Sequence, residues 1–200
     1  MSTSFQIFPT RKNKPACDEI IKYSMNLFCR FLQKEKISCD IEITASEVSC
    51  EDKVYNSPES LVSNEDNYTA FTLNNEGDAY VFYHKIDDID KDFWDEELKE
   101  NKKAKSLKEK IDDNLETGYY WSVKRTAGQP VIVSLYYGYL AIAIAVLTDG
   151  IIYSDDGAWD YSSFPIEGIA FENEYLNIEK LSDTTVKESV ENWLDILKKM

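Results

Sequence analysis

The chain has 200 residues, 43% of them hydrophobic and 13% aromatic, with 37 acids against 22 Lys and Arg for a net charge of −15. That apolar content is enough for a packed core and too high for a disordered chain. The charge repels phosphate backbones, so nucleic acid is excluded as an expected partner.

Residues Ser4 to Phe8 alternate weakly and read as a first strand. The N-terminus has no basic region followed by a long apolar run, so no secretory signal is read there. Lys14-Pro15-Ala16 then opens a helix, since Pro suits a first turn. Ile20, Ile21, Met25, Phe28, Phe31 and Leu32 recur at helical spacing, which predicts a helix over about 15–36. Ile41 and Ile43 alternate with Glu42 and Thr44 as in a half-buried strand. Ser46 to Asp66 is polar and reads as a loop. Tyr68–Leu73 and Asp78–Tyr83 read as a hairpin closed by Asn74-Asn75-Glu76-Gly77.

Lys85 to Thr117 holds twelve acids and eight lysines around a sparse stripe of Phe93, Trp94, Leu98, Leu107 and Ile111. The pattern predicts one long, mostly solvated helix near 90–115, with a charged linker as the alternative. Tyr119 to Arg125 is a strand, and Pro130 starts the next helix.

From Thr126 to Tyr153 the one ionisable acid or base is Asp149. Val131–Thr148 is barely long enough to cross a bilayer. However, Tyr136, Tyr137 and Tyr139 sit inside it, not at its ends where an interfacial belt belongs. Asp149-Gly150 stops the helix, and Ile151-Ile152-Tyr153 resumes as a strand. The segment therefore reads as a buried central helix over about 130–148 in a soluble β-α-β unit. Lys124 and Arg125 are expected to pair with acids beyond Tyr153, if the two strands lie side by side. Ser182-Asp183 caps a last helix over 183–199, whose apolar face is Val186, Val190, Trp193, Leu194 and Leu197.

Together these elements predict an α+β fold. A mixed, mainly antiparallel sheet packs on the central helix, with amphipathic helices near 15–36, 90–115 and 183–199. Residues 1–200 read as one domain, with a possible two-layer split near 116–118.

No catalytic residue, metal ligand or cofactor is assigned from this sequence. The single histidine, His84, ends a strand, and no Gly-x-Ser-x-Gly accompanies it. Cys17, Cys29, Cys39 and Cys50 are too widely spaced for a metal knuckle, and in a chain without a signal they are expected to be reduced. Lys124-Arg125 before a Pro-started helix has the position of an anion site. The sharpest cluster is Asp155-Asp156-Gly157-Ala158-Trp159-Asp160, with Tyr161 after it. Its acids are not spaced as in a calcium loop. An exposed Trp ringed by acids would suit a basic protein partner.

The block Gly118–Pro130, followed by Leu147-Thr-Asp-Gly-Ile-Ile-Tyr-Ser-Asp-Asp-Gly-Ala-Trp-Asp-Tyr161, resembles immunity proteins of bacterial polymorphic and contact-dependent toxin systems. The resemblance implies an α+β cytoplasmic protein that neutralises a cognate toxin domain, often basic, by stoichiometric binding without a membrane. The expected contacts are Asp155, Asp156, Trp159, Asp160 and Tyr161, with Glu172 and Glu174 near them in sequence. The alternative is a small enzyme or ligand-binding domain that holds a divalent metal at Asp155–Asp160 and an anion at Lys124-Arg125.

Overall fold

The computed structural model describes residues 2–38, 40–49, 51, 54–55 and 58–199. Its strands are β1 (Thr3–Phe8), β2 (Ile43–Ser49), β3 (Val54–Tyr55), β4 (Asn67–Leu73), β5 (Gly77–Lys85), β6 (Tyr119–Arg125), β7 (Ile151–Tyr153) and β8 (Ile166–Glu167). Its helices are α1 (Cys17–Lys34), α2 (Asp88–Glu100), α3 (Lys102–Ser106), α4 (Lys108–Thr117), α5 (Val131–Leu147), α6 (Gly168–Glu172) and α7 (Thr184–Leu197). The fold is α+β.

The strands form one sheet in the order β3-β2-β4-β5-β6-β1-β7-β8, antiparallel throughout among the described residues. The suggested split near 116–118 falls between α4 and β6, and β6 pairs on both sides with strands of the first half. β6 and β7 flank α5 in sequence but do not touch: β1 lies between them, with Phe5 opposite Val123 and Ile7 opposite Ile152. The side-by-side arrangement expected for 119–125 and 151–153 is therefore corrected to a split β-α-β unit.

Alternation along β1 sends Phe5 and Ile7 to one face and Phe8 to the other. Phe5 meets Tyr137 of α5 at 5.0 Å between ring centroids, whereas Phe8 meets Trp94 of α2 at 4.9 Å. So α5 covers one face, with α1, α6 and α7 packed around it, and α2 approaches the other. α5 is buried on every side from Val133 to Ala145, which explains its lack of charge. Among the described residues no helix is long and apolar enough to cross a membrane. Asp149, the lone acid of this stretch, accepts hydrogen bonds from Lys110 at 2.7 Å and Arg11 at 3.5 Å.

The long helix expected over 90–115 is three helices. Asp87 and Asp90 form a reciprocal capping box that starts α2. Asn101 ends α2 and caps α3 by accepting from Lys103 N and Ala104 N, and its Nδ2 donates to Phe164 O at 3.1 Å. Gly118, with φ 83°, ends α4 in the left-handed region. The polar loop expected from Ser46 instead continues β2 through Ser49. Cys17 is a buried free thiol, and burial pushes its pKa up to about 12. Cys29 is disulfide-bonded, so the expectation of reduced thiols fails there. Cys39 and Cys50 lie outside the described residues.

Candidate functional site

The turn after β7 does not project as one acidic loop. Asp155 is exposed. Asp156 is tied back to β1, where its Oδ2 accepts from Ser4 N at 2.8 Å and Ser4 Oγ at 2.7 Å. The Trp159 ring is 4% exposed and packs on Phe171 and Tyr175. A contact role that needs an exposed Trp159 is thus corrected: the ring belongs to the core.

Asp160 is also turned inward and is 4% exposed. Its carboxylate accepts from Ser162 N and Oγ, from Ser182 N and Oγ, and from Asp183 N. Burial raises its pKa, but the hydrogen bonds from Ser162 and Ser182 outweigh it and hold the carboxyl well below the usual range. Its oxygens are occupied by these donors, so the divalent-metal reading of Asp155–Asp160 loses a ligand. Among the described residues no group of three or more His, Cys, Asp or Glu could hold a metal ion.

Glu172 is not beside Asp155; it lies against α1, where its carboxylate accepts from Arg30 at 3.0 Å and from Tyr23 at 3.3 Å. Glu174 is half-buried two residues on, beyond α6. Tyr161 remains on the surface at 55% exposure, its hydroxyl 3.1 Å from that of Tyr153.

What the fold assembles around Asp155 comes from a segment read only as a solvated helix. Asp155 and Tyr153 share a cavity of about 200 Å³ with Gln6, Ile89, Asp90 and Tyr120. Ile89, in the first turn of α2, is 77% exposed. The carboxylates of Asp87, Asp90 and Asp155 all act on the Tyr120 hydroxyl; burial first, then these charges, raise its pKa to about 12. None of the three forms an ion pair among the described residues. The result is an acidic patch, edged by Lys91 near Asp87, with exposed Ile89 at the cavity and Tyr161 hydrogen-bonded to its wall at Tyr153. Asp87 and Asp90 were not singled out from the sequence, and their juxtaposition with Asp155 depends on the α2–β7 packing of Phe93 on Tyr153.

His84 stacks on Tyr120 at 4.8 Å and shares a 2.7 Å hydrogen bond between Nε2 and Ser122 Oγ. Burial, then Lys124, lowers its pKa, with Glu65 opposing. The ring is therefore neutral at pH 7. A proton NMR titration is expected to place its midpoint below the ordinary value of about 6.5. Because the folded value is lowered, the stability it contributes is present above the unfolded pKa and declines as pH falls through the folded one. A midpoint above 6.5 would show that Glu65 dominates the ring.

Among the described residues Lys124 and Arg125 do not pair with acids beyond Tyr153, in contrast to the expectation from sequence. Lys124 Nζ lies over the Phe82 ring at 5.2 Å, and Arg125 lies over Tyr137 and Trp193. No family model, curated protein or solved structure was found to match this chain.

Proposed function

We propose that this protein is a stoichiometric inhibitor of a basic protein domain, of the immunity type, and that it binds through the patch around Asp155. The observation that carries this reading is the placement of Asp90 and Asp155 around one cavity with Tyr120 and the exposed side chain of Ile89, with Asp87 capping the same helix. Exposed apolar side chains ringed by unpaired acids supply both parts of an interface: a desolvated anchor and a field that attracts cations. The net charge of −15 extends that field and accelerates encounter with a basic surface. Asp155 and Tyr161 stay in the contact set, Asp87, Ile89 and Asp90 join it, and the buried Trp159 and Asp160 leave it. Neutralisation then consists of covering the partner's cationic working surface. A cytoplasmic toxin domain is the partner implied by the sequence resemblance.

The test begins with the product of the adjacent reading frame, co-expressed with this chain and purified as a complex. Asp90→Lys with Asp155→Lys is expected to slow association by about 10- to 100-fold at low salt and to flatten its salt dependence. Ile89→Ala is expected to act on dissociation instead, costing about 1–2 kcal/mol of binding. Unchanged association rates for the double variant, with a complex still formed, would place the interface elsewhere.

A further inference from the structure

Arg125 ends β6 with a positive charge that no acid meets: among the described residues it forms no ion pair. Its guanidinium lies over the Tyr137 ring at 5.3 Å and the Trp193 ring at 5.2 Å. Its Nε is buried and among the described residues has no hydrogen-bond partner. Buried donors are nearly always satisfied, and an unpaired one on a cation is costlier still. The guanidinium faces a cavity of about 270 Å³ between α5, α7 and the 157–159 turn. In a chain with 37 acids, no Asp or Glu among the described residues lines this cavity, and Arg125 is the one charged residue among them that does. Ser134 and Ser189 add hydroxyls to the wall, and Ala158 and Val186 add apolar surface.

We propose that this cavity binds a small ligand bearing a single carboxylate. With Nε buried, the edge formed by the two terminal NH2 groups of the guanidinium donates to both oxygens of a carboxylate at once. One cation on a chain of −15 suits a monoanion, whereas a dianionic phosphate meets more repulsion for the same single partner. The apolar walls take a short hydrocarbon body, and Ser134 and Ser189 orient the head. The same chemistry is carried by a free short-chain acid and by the C-terminal carboxylate of a peptide. The cavity does not involve Asp90 or Asp155, so it stands whether or not the acidic patch binds a partner.

The experiment follows the Arg125 Nε–H resonance of the full-length protein by NMR. It is titrated with butyrate, butyramide, inorganic phosphate and N-acetyl-alanyl-alanine. Butyrate is expected to shift that signal saturably in the millimolar range, with butyramide inert and phosphate at least about tenfold weaker. A dipeptide that binds tighter than butyrate identifies a chain end as the ligand, and a weaker one identifies a free acid. Arg125→Gln is expected to abolish the saturable response, read on neighbouring amides. Because that variant also loses the contact with Trp193, Ser189→Phe provides a second arm. It fills the cavity with Arg125 intact, and its folding is checked by circular dichroism. No saturable change with either carboxylate, phosphate binding as tightly as butyrate, or full binding in a folded Ser189→Phe protein would overturn the proposal.

Discussion

Gly138→Ala is expected to destabilise the protein by about 3 kcal/mol, although the same exchange in an ordinary helix stabilises by about 1 kcal/mol. Gly138 lies in the middle of α5, and a Cβ built there would stand 2.0 Å from Tyr175 Cζ, 2.4 Å from Cε1 and 2.5 Å from Cε2. The ring therefore lies directly on the helix backbone. Its hydroxyl donates to Leu135 O at 2.9 Å, and its other neighbours are Phe5, Tyr139, Trp159 and Phe171, all within 5.9 Å between centroids. Moving it breaks a buried hydrogen bond and opens the aromatic cluster, so overpacking outweighs the gain in helix propensity. Urea unfolding of a double-mutant cycle checks the cause. In a Tyr175→Ala background, Gly138→Ala is expected to be neutral or stabilising by up to about 1 kcal/mol. A wild-type background that tolerates Gly138→Ala without loss would mean that the ring does not press on α5.

The secondary structure was most legible where the chain signals locally. α5 announced itself by 28 residues without charge beyond Asp149, and its ends by Pro130 and Asp149-Gly150. α7 did so through the Asp183 cap, which accepts from Thr185 N and Val186 N. The break at Asn101 was hidden because lysines and acids continue at helical spacing on both sides of it. What stops the helix is partly tertiary: the Asn101 amide reaches Phe164 O, 63 positions away. Strand order was hidden for the same reason. Alternation identifies β1 and β6 as strands and a short apolar run identifies β7, but nothing local says that β1 inserts between the other two.

The candidate site was half legible. Asp155 and Tyr161 emerged from their own neighbourhood, and both are on the surface. A loop has no periodicity to say which acid turns inward. Asp160 turns inward to Ser182, 22 positions away, whereas Asp156 stays exposed although Ser4, 152 positions away, holds it. Trp159 looked like an anchor for a partner, yet it serves the core because Phe171 and Tyr175 return to cover it. The acids that complete the patch, Asp87 and Asp90, also cap α2. Capping and partner attraction use the same residue types, and only the fold shows that both apply.

Asp160→Ala is expected to cost about 3 kcal/mol, the loss that follows when a buried charged acceptor is removed from several donors. Three backbone N–H groups and two hydroxyls converge on this carboxylate, which joins the 161–163 turn to the residues that start α7. Without it those donors, on the exposed residues Ser162, Ser182 and Asp183, must turn to water, and the start of α7 loses its tether to the 161–163 turn. α7 in turn supplies Val190 and Leu194 to the core. Asp160→Asn tests the charge separately from the shape. Oδ1 accepts from two donors and Oδ2 from three, so either orientation of the amide points its NH2 at donors. Asp160→Asn is therefore expected to lose nearly as much as Asp160→Ala. The pH dependence distinguishes this account from simple packing. The folded pKa lies below the ordinary carboxylate value of about 3.9, so between the two values the unfolded chain binds the extra proton. The contribution is complete above about pH 5 and is lost as pH falls through the folded pKa. Urea unfolding at pH 7, 5, 4 and 3 is therefore expected to show the gap between wild type and Asp160→Asn narrowing on acidification. A gap constant down to pH 3 would assign the loss to packing, leaving the carboxylate's charge without a role in holding α7.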